Sequence, residues 1–341
     1  MRLLVTGGAG FMGCNFIRYI LEKYPKYEVV NLDKLTYAGN LDNLADISDN
    51  SQTKKRYAFV KGDIAVKEDV LEALKKANGK VDAIINYAAE THVDRSIMDP
   101  EAFIKTDVLG VYELLEAVRQ GRAGKLIQIS TDEVFGEIEK GEFSENSPME
   151  PNSPYSASKA GGDLMCRAYW RTYKTRVIVT HSCNFYGPYQ YPEKMISLFI
   201  TNLLEGKKMP VYGKGKNVRE WIFTEDHCRA IEMILQKGQA GEVYNIGTGE
   251  RRKNLEIAKL IASRLGLGPG KEMIEFVKDR PGHDTRYALN CEKMRKELGW
   301  TPEVKFEEGI EKTIKWYKKN EKWWNKIKSG EFKEYYKKQY S

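Results

Sequence analysis

The run Thr6-Gly7-Gly8-Ala9-Gly10-Phe11-Met12-Gly13 constrains this chain more than any other feature. A strand-length apolar run, Leu3-Leu4-Val5, precedes it, and a helical pattern from Phe11 to Lys23 follows, with Ile17, Ile20 and Leu21 on one side. A strand that turns through glycines directly into a helix lets the backbone approach a ligand closely. It also aims free helix N–H groups and the positive end of the helix dipole at that ligand. The arrangement suits the pyrophosphate of a dinucleotide, and it assigns Gly7, Gly10, Phe11, Met12 and Gly13 to the contact.

Beyond this turn, strand-length runs keep alternating with helical stretches. Glu28–Leu32, Tyr57–Val60, Ala83–Ile85 and Leu126–Ile129 each end at polar or glycine residues. Such alternation predicts an α/β fold, a doubly wound parallel sheet of Rossmann type with helices on both faces. The rhythm changes after Val179. Short strands at Met209–Tyr212 and Val218–Phe223 mix with helices over Glu193–Leu204, Thr224–Gln236 and Asn254–Leu265. Thr224, followed by Glu225 and Asp226, reads as a helix N-cap. The expected division is residues 1–183 as dinucleotide-binding domain and residues 184–341 as a smaller mixed α/β substrate lobe, with the chain free to cross between them. Phe306, Ile310, Ile314 and Tyr317 form one stripe, and with the Trp323-Trp324 pair they should close the lobe.

Asp33 lies 20 positions beyond Gly13, at the end of the second predicted strand. A carboxylate there accepts from both adenosine ribose hydroxyls and repels a 2′-phosphate, so NAD is expected over NADP. Asp63 and Ile64 end the third strand, within reach of adenine. Ala88 and Ala89 follow the fourth, where small side chains let a cofactor lie close.

Tyr155-Ser156-Ala157-Ser158-Lys159 puts a phenol and an ammonium on one helix face. A nearby cation favours the phenolate, so Tyr155 can take a proton from a sugar hydroxyl while hydride leaves the same carbon. Thr131, Asp132 and Glu133 follow the fifth strand, at the carboxyl edge where such sheets hold ligands. Thr131 can hydrogen-bond the reacting hydroxyl, and the two carboxyls can serve as an acid and a base if their surroundings push their pKa values apart.

Composition narrows the field further. The five cysteines are scattered, with no Cys-x-x-Cys pair, and the four histidines lack metal-ligand spacing, so neither a disulfide framework nor a metal site is expected. The net charge of +7 is concentrated in a lysine-rich tail interleaved with glutamates and aromatics. That is the wet side of amphipathic helices, and no nucleic-acid partner is expected. No apolar run approaches a membrane span, and the short apolar start is no secretory signal. A cytoplasmic location is the expectation.

At these residues the sequence resembles the extended short-chain dehydrogenase/reductase family, within it the sugar-nucleotide dehydratases. The likeness covers nearly the whole chain: Asp33 through Leu41, Thr131 through Gly136, Asn184 through Lys194, Val218 through Trp221, Asp279 through Asp284, and the tail from Trp323 to Tyr340. It implies that Lys34, Leu35, Thr36, Gly39 and Thr106 also meet NAD. It implies a redox-neutral loss of water from a nucleotide-linked glucose, with dTDP-glucose the expected substrate and UDP-glucose the runner-up. Tyr155, with Lys159 and Thr131, deprotonates the 4-hydroxyl; Glu133 removes the C5 hydrogen; Asp132 protonates the departing 6-hydroxyl. Lys194, Arg219 and Arg280 are implied at the diphosphate, Thr91 and Asn184 at the sugar, and His283 and Tyr287 at the nucleotide end. Met195, Pro210, Tyr212 and Asn254 complete the implied substrate contacts. A homodimer is implied as well. Three positions depart from the family pattern: Thr91 stands where serine is commoner, Asp107 where asparagine is usual, and Phe185 where asparagine is common. A sugar-nucleotide 4-epimerase shares the tyrosine and lysine but has no need of the Asp132-Glu133 pair. A non-catalytic NAD-binding regulator would not need the chemical set at all.

Overall fold

The computed structural model describes residues 1–268, 271–279 and 283–330, together with Phe332 and Tyr336. Twelve strands run through these residues. The first six are β1 (Arg2–Thr6), β2 (Glu28–Asp33), β3 (Tyr57–Lys61), β4 (Ala83–Asn86), β5 (Leu126–Thr131) and β6 (Val177–Ser182). The others are β7 (Asn184–Tyr186), β8 (Met209–Tyr212), β9 (Val218–Phe223), β10 (Val243–Ile246), β11 (Arg251–Lys253) and β12 (Ile274–Val277).

Seven of them form one parallel sheet in the order β3-β2-β1-β4-β5-β6-β10. The expected doubly wound sheet is present. Successive β1 side chains point to opposite faces. Leu3 and Val5 enter one buried apolar cluster, with Phe16, Ile17 and Ile85, while Leu4 enters the other, with Val30, Ile84 and Leu126. Strand order reverses between β2 and β4 on either side of β1, which opens a crevice at the carboxyl ends of the strands.

The remaining strands build a smaller region. A three-stranded sheet runs β11-β9-β7, with β7 and β9 parallel and β11 antiparallel; β8 and β12 pair in parallel. Its core joins Tyr186, Phe199, Trp221, Phe306, Ile310, Ile314, Tyr317 and Trp324. The stripe on the helix Phe306–Lys319 is buried as its spacing predicts.

Two local expectations need correction. The helix read as starting at Glu193 begins at Met195. Thr224 is the first residue inside its helix, not the cap; Phe223 takes the cap position without a side-chain bond, and the Thr224 side chain packs against Gly187 instead. Five of the twelve strands, β6, β7, β10, β11 and β12, were not named from the sequence. β10, which is four residues long, crosses from the second region back to the main sheet and pairs with β6. No helix among the described residues is long and apolar enough to cross a membrane.

Candidate active site

One cavity of about 390 Å³ spans the crevice and runs into the second region. The glycine turn forms its floor. Gly7 has φ +66, and a Cβ there would meet the Ala88 nitrogen at 2.6 Å. Gly10 caps the helix Phe11–Lys23 with no side-chain bond, so the first-turn N–H groups face the cavity without a side-chain cap. A Cβ on Gly13 would meet the Gly7 oxygen at 2.2 Å and the Gly8 Cα at 2.6 Å, both backbone atoms that cannot yield. Gly13→Ala should therefore weaken NAD binding about tenfold or more, read by titration calorimetry, since forced overpacking costs about 1–3 kcal/mol.

Asp33 closes β2, where its Oδ2 accepts from Ala9 N–H at 2.9 Å and its Oδ1 from Leu35 N–H at 2.8 Å. Burial raises its pKa against the pull of these bonds. Lys34 reaches Asp63 at 2.7 Å and ties the loop after β2 to the end of β3. Thr36, Gly39, Ile64, Ala88, Ala89 and Thr106 also line the cavity, with Phe11 and Met12. Leu35 does not line it; its role is in the backbone, at φ +57. Uncapped N–H groups, a glycine cradle that a Cβ would fill and a carboxylate at the ribose position together fit NAD.

The reactive groups sit at the middle of the cavity. The helix Pro154–Tyr173 opens with a reciprocal cap between Ser153 and Ser156, which sets the orientation of Tyr155 and Lys159 one turn apart. Lys159 is buried and donates to the Ile129 carbonyl of β5 at 2.8 Å. The Thr131 hydroxyl lies beside the Tyr155 phenol. Burial pushes that phenol well above its usual pKa, helped by the charges of Glu133 and Asp107, while neighbouring Thr131 pulls the other way. Asp132 is 2% exposed, and its Oδ1 accepts from Thr131 at 3.3 Å while Oδ2 has no protein partner. Burial, then Glu133, then Glu220, hold this carboxyl well above the ordinary carboxylate range. Asp132 is thus kept as an acid, and Glu133 beside it is only half-buried.

Asp107 lies on a π-helical segment, Lys105–Gly110, a distortion that often marks functional positions. Its Oδ2 accepts from Ser158 at 2.9 Å. Burial pushes its carboxyl up to about 7, with Lys159 and the Ser158 bond pulling the other way. A folded pKa above the unfolded one means the native state holds a proton that the unfolded chain releases near pH 4. Stability from this group therefore falls as pH rises from there to about 7, and stays reduced above it. Asp107→Asn should raise the melting temperature by roughly 2–5 °C at about pH 8 and by less at about pH 5. An equal gain at both would show that the carboxyl does not titrate in this window.

The second region supplies the other wall. Lys194 donates to the Thr91 carbonyl, which brings a position expected at the diphosphate against one expected at the sugar. Asn184 and Asn254 each keep a buried Oδ1 without a partner in the cavity wall, with Met195, Pro210 and Tyr212 nearby. Arg219 donates to the carbonyls of Val218 and Asp284, both at 2.9 Å, and lies over the Tyr287 ring at 4.3 Å. His283 pairs with Asp279 at 2.6 Å and meets the Tyr212 ring edge-on. Tyr287 is not in the wall: it is buried beneath Arg219, its hydroxyl on Asp284. Arg280 falls outside the described residues. Sequence reading missed Glu193, a buried carboxyl held by Tyr37 and Arg95 across the two regions. Its place beside Lys194 in the substrate segment was the available signal.

The family model described as GDP-mannose 4,6 dehydratase matches residues 4–313. The chain belongs to this family. It is 48% identical to the dTDP-glucose 4,6-dehydratase of Streptomyces niveus, over 96% of either chain. It is 44% identical to the protein of that name from Shigella flexneri, over 100% of this chain and 99% of the relative. A solved dTDP-glucose 4,6-dehydratase from Streptomyces venezuelae, with NAD and a second ligand bound, has a TM-score of 0.90 at 47% identity. That match covers 96% of this chain and 100% of the other. The resemblance read from Thr131–Gly136 and its companion segments is the one these comparisons find.

Proposed function

We propose that this chain is an NAD-dependent dTDP-glucose 4,6-dehydratase, converting dTDP-glucose to dTDP-4-keto-6-deoxyglucose and water. The observation that carries the reading is the juxtaposition of a buried Asp132, whose enclosure favours the neutral acid, and a half-buried Glu133 with Thr131, Tyr155 and Lys159 in one cavity. An epimerase exchanging hydride at C4 has no use for the carboxyl pair. The names of the full-length relatives support the same activity.

NAD, held by the Gly7–Gly13 turn and Asp33, would supply a positively charged hydride acceptor for C4 and, once reduced, a hydride donor for C6. Tyr155 Oη takes the 4-hydroxyl proton, with Thr131 holding that oxygen in line. Lys159, anchored on Ile129, adds the second positive charge that the enclosed phenol needs to ionise. Once C4 is a ketone the C5 hydrogen is acidic, and Glu133 removes it. Asp132 then gives its proton to the C6 oxygen, which leaves as water. Glu133 gives the proton back to C5 when C6 is reduced. Each residue does what its surroundings suit: a neutral buried acid donates, and a wetter carboxylate accepts. Asn184, Asn254, Lys194 and Arg219 are assigned to sugar and diphosphate, the cations because phosphate oxygens take several donors.

The reading extends to assembly and compartment. Ile97, Met98, Ile104 and Leu109 on the helical segments packed against Pro154–Tyr173, and Leu164 on that helix itself, are all exposed, at 44–59%. An apolar face of this kind supports a homodimer through those helices. All five cysteines are unpaired and four are buried, which suits the reducing cytoplasm.

The test is incubation with dTDP-glucose and, separately, UDP-glucose, without added reductant, followed by mass spectrometry. Loss of one water from dTDP-glucose with faster turnover than UDP-glucose supports the proposal. Water loss from UDP-glucose alone reassigns the nucleotide. An isomer of unchanged mass overturns the dehydratase reading.

A further inference from the structure

We infer that the helix Glu321–Lys328 is a strap that positions the cofactor-binding glycine turn, acting through Asn43. The inference rests on the reading of that turn as the NAD site. Trp323 and Asn43 are 280 residues apart in sequence, yet the Trp323 indole N–H donates to Asn43 Oδ1 at 2.8 Å. Asn43 Nδ2 then donates to the Ala9 carbonyl at 2.8 Å. The N–H of the same Ala9 donates to Asp33 Oδ2 at 2.9 Å. Three consecutive hydrogen bonds thus link the C-terminal helix to the glycine turn and onward to the carboxylate expected to hold the ribose.

Asn43 is a fitting middle link. It is 2% exposed, and its own backbone is pinned, the carbonyl by Arg18 at 2.7 Å and the N–H by Asn40. The side-chain amide is the part left to be oriented, and Trp323 does so by occupying its acceptor end. Ala9 stands between Gly8 and Gly10, whose lack of side chains leaves the turn little packing to hold its shape. A turn held beforehand in its binding shape spares the ordering cost when NAD arrives. Trp323 is itself held by aromatic neighbours: its ring lies 5.0 Å from Trp316 and 6.0 Å from Tyr189, over which Arg18 stacks. On the exposed side of the same helix, Lys326 pairs with Asp42 at 2.6 Å, a contact that bypasses Asn43. Asn43 and Trp323 are positioning residues, since neither lines the cavity.

The experiment uses the full chain loaded with NAD, diluted into excess fluorescent etheno-NAD, with release followed over time. Melting temperature and dTDP affinity are measured on the same samples. Trp323→Phe, which keeps an aromatic ring and removes the N–H donor, should speed NAD release about fivefold, the net worth of a neutral hydrogen bond. dTDP affinity should not move. Asn43→Ala should speed release at least as much, and the double variant should release no faster than Asn43→Ala, because both act along one path. Lys326→Ala should release at the wild-type rate. Release from both Trp323→Phe and Asn43→Ala at the wild-type rate overturns the inference. Equal acceleration by Lys326→Ala overturns it too, since that would be general loosening of the helix. If Trp323→Phe does not fold, Asn43→Ala with Lys326→Ala decides the matter. A wild-type protein that binds no NAD would instead sink the proposed function, and that outcome is read before any variant is compared.

Discussion

Replacing Tyr155 with phenylalanine is expected to lower turnover of dTDP-glucose about a thousandfold, within the range a positioned acid–base group supplies. The ring stays, so its edge-on contact with Phe103 survives and the fold has little reason to change. What goes is the one oxygen placed to take the 4-hydroxyl proton. Thr131 cannot replace it, because an aliphatic hydroxyl is a far weaker acid than a phenol and does not ionise near neutral pH. The loss should fall on kcat, with NAD and dTDP affinities within about threefold of wild type, since proton transfer contributes only in the transition state. Steady-state kinetics and calorimetry on one preparation measure both. A fall of less than tenfold would mean that Tyr155 is not the base.

The second large effect separates the dehydratase from its fold relatives. Glu133→Gln is expected to suppress water loss by about a hundredfold to ten-thousandfold while leaving C4 oxidation largely intact. Glutamine matches glutamate in shape and hydrogen-bonds substrate, but it cannot accept the C5 proton. Two readouts track the step: mass loss of one water, and exchange of the C5 hydrogen with heavy water. Both should fall together. If exchange persists at the wild-type rate while water loss stops, another group takes the C5 proton and Glu133 serves a later step. The complementary Asp132 is the harder group to replace without disturbance, because it is buried with Glu220 as a neighbour of like sign.

The placement of these residues was legible because it depends on local spacing. Tyr155 and Lys159 share a helix face by the geometry of any α-helix, and Thr131-Asp132-Glu133 follows a strand whose carboxyl end must lie at the ligand edge of a parallel sheet. Less could be read where the answer lies in the surroundings. Asp107 was visible as an unusual residue, but its titration near neutrality follows from enclosure by the π-helical segment and the helix bearing Ser158. Tyr287 was expected at the nucleotide end and instead lies beneath Arg219, where burial and a bond to Asp284 make it a support for that cation.

The same division runs through the fold. Sequence alone determined the glycine turn, the first five strands of the sheet, the buried stripe Phe306-Ile310-Ile314-Tyr317 and the order of chemical groups along the chain. Each follows from a period, a turn residue or a spacing of a few positions, and such preferences act within a short stretch of backbone. Tertiary structure alone decided that Val243–Ile246 returns to pair with β6, that Glu193 meets Tyr37 and Arg95, and that Trp323 reaches Asn43 across most of the chain. A strand of four residues has too little pattern to name its neighbour. A hydrogen bond between distant residues has no periodic trace, because it forms only after burial of other side chains has brought its donor and acceptor together.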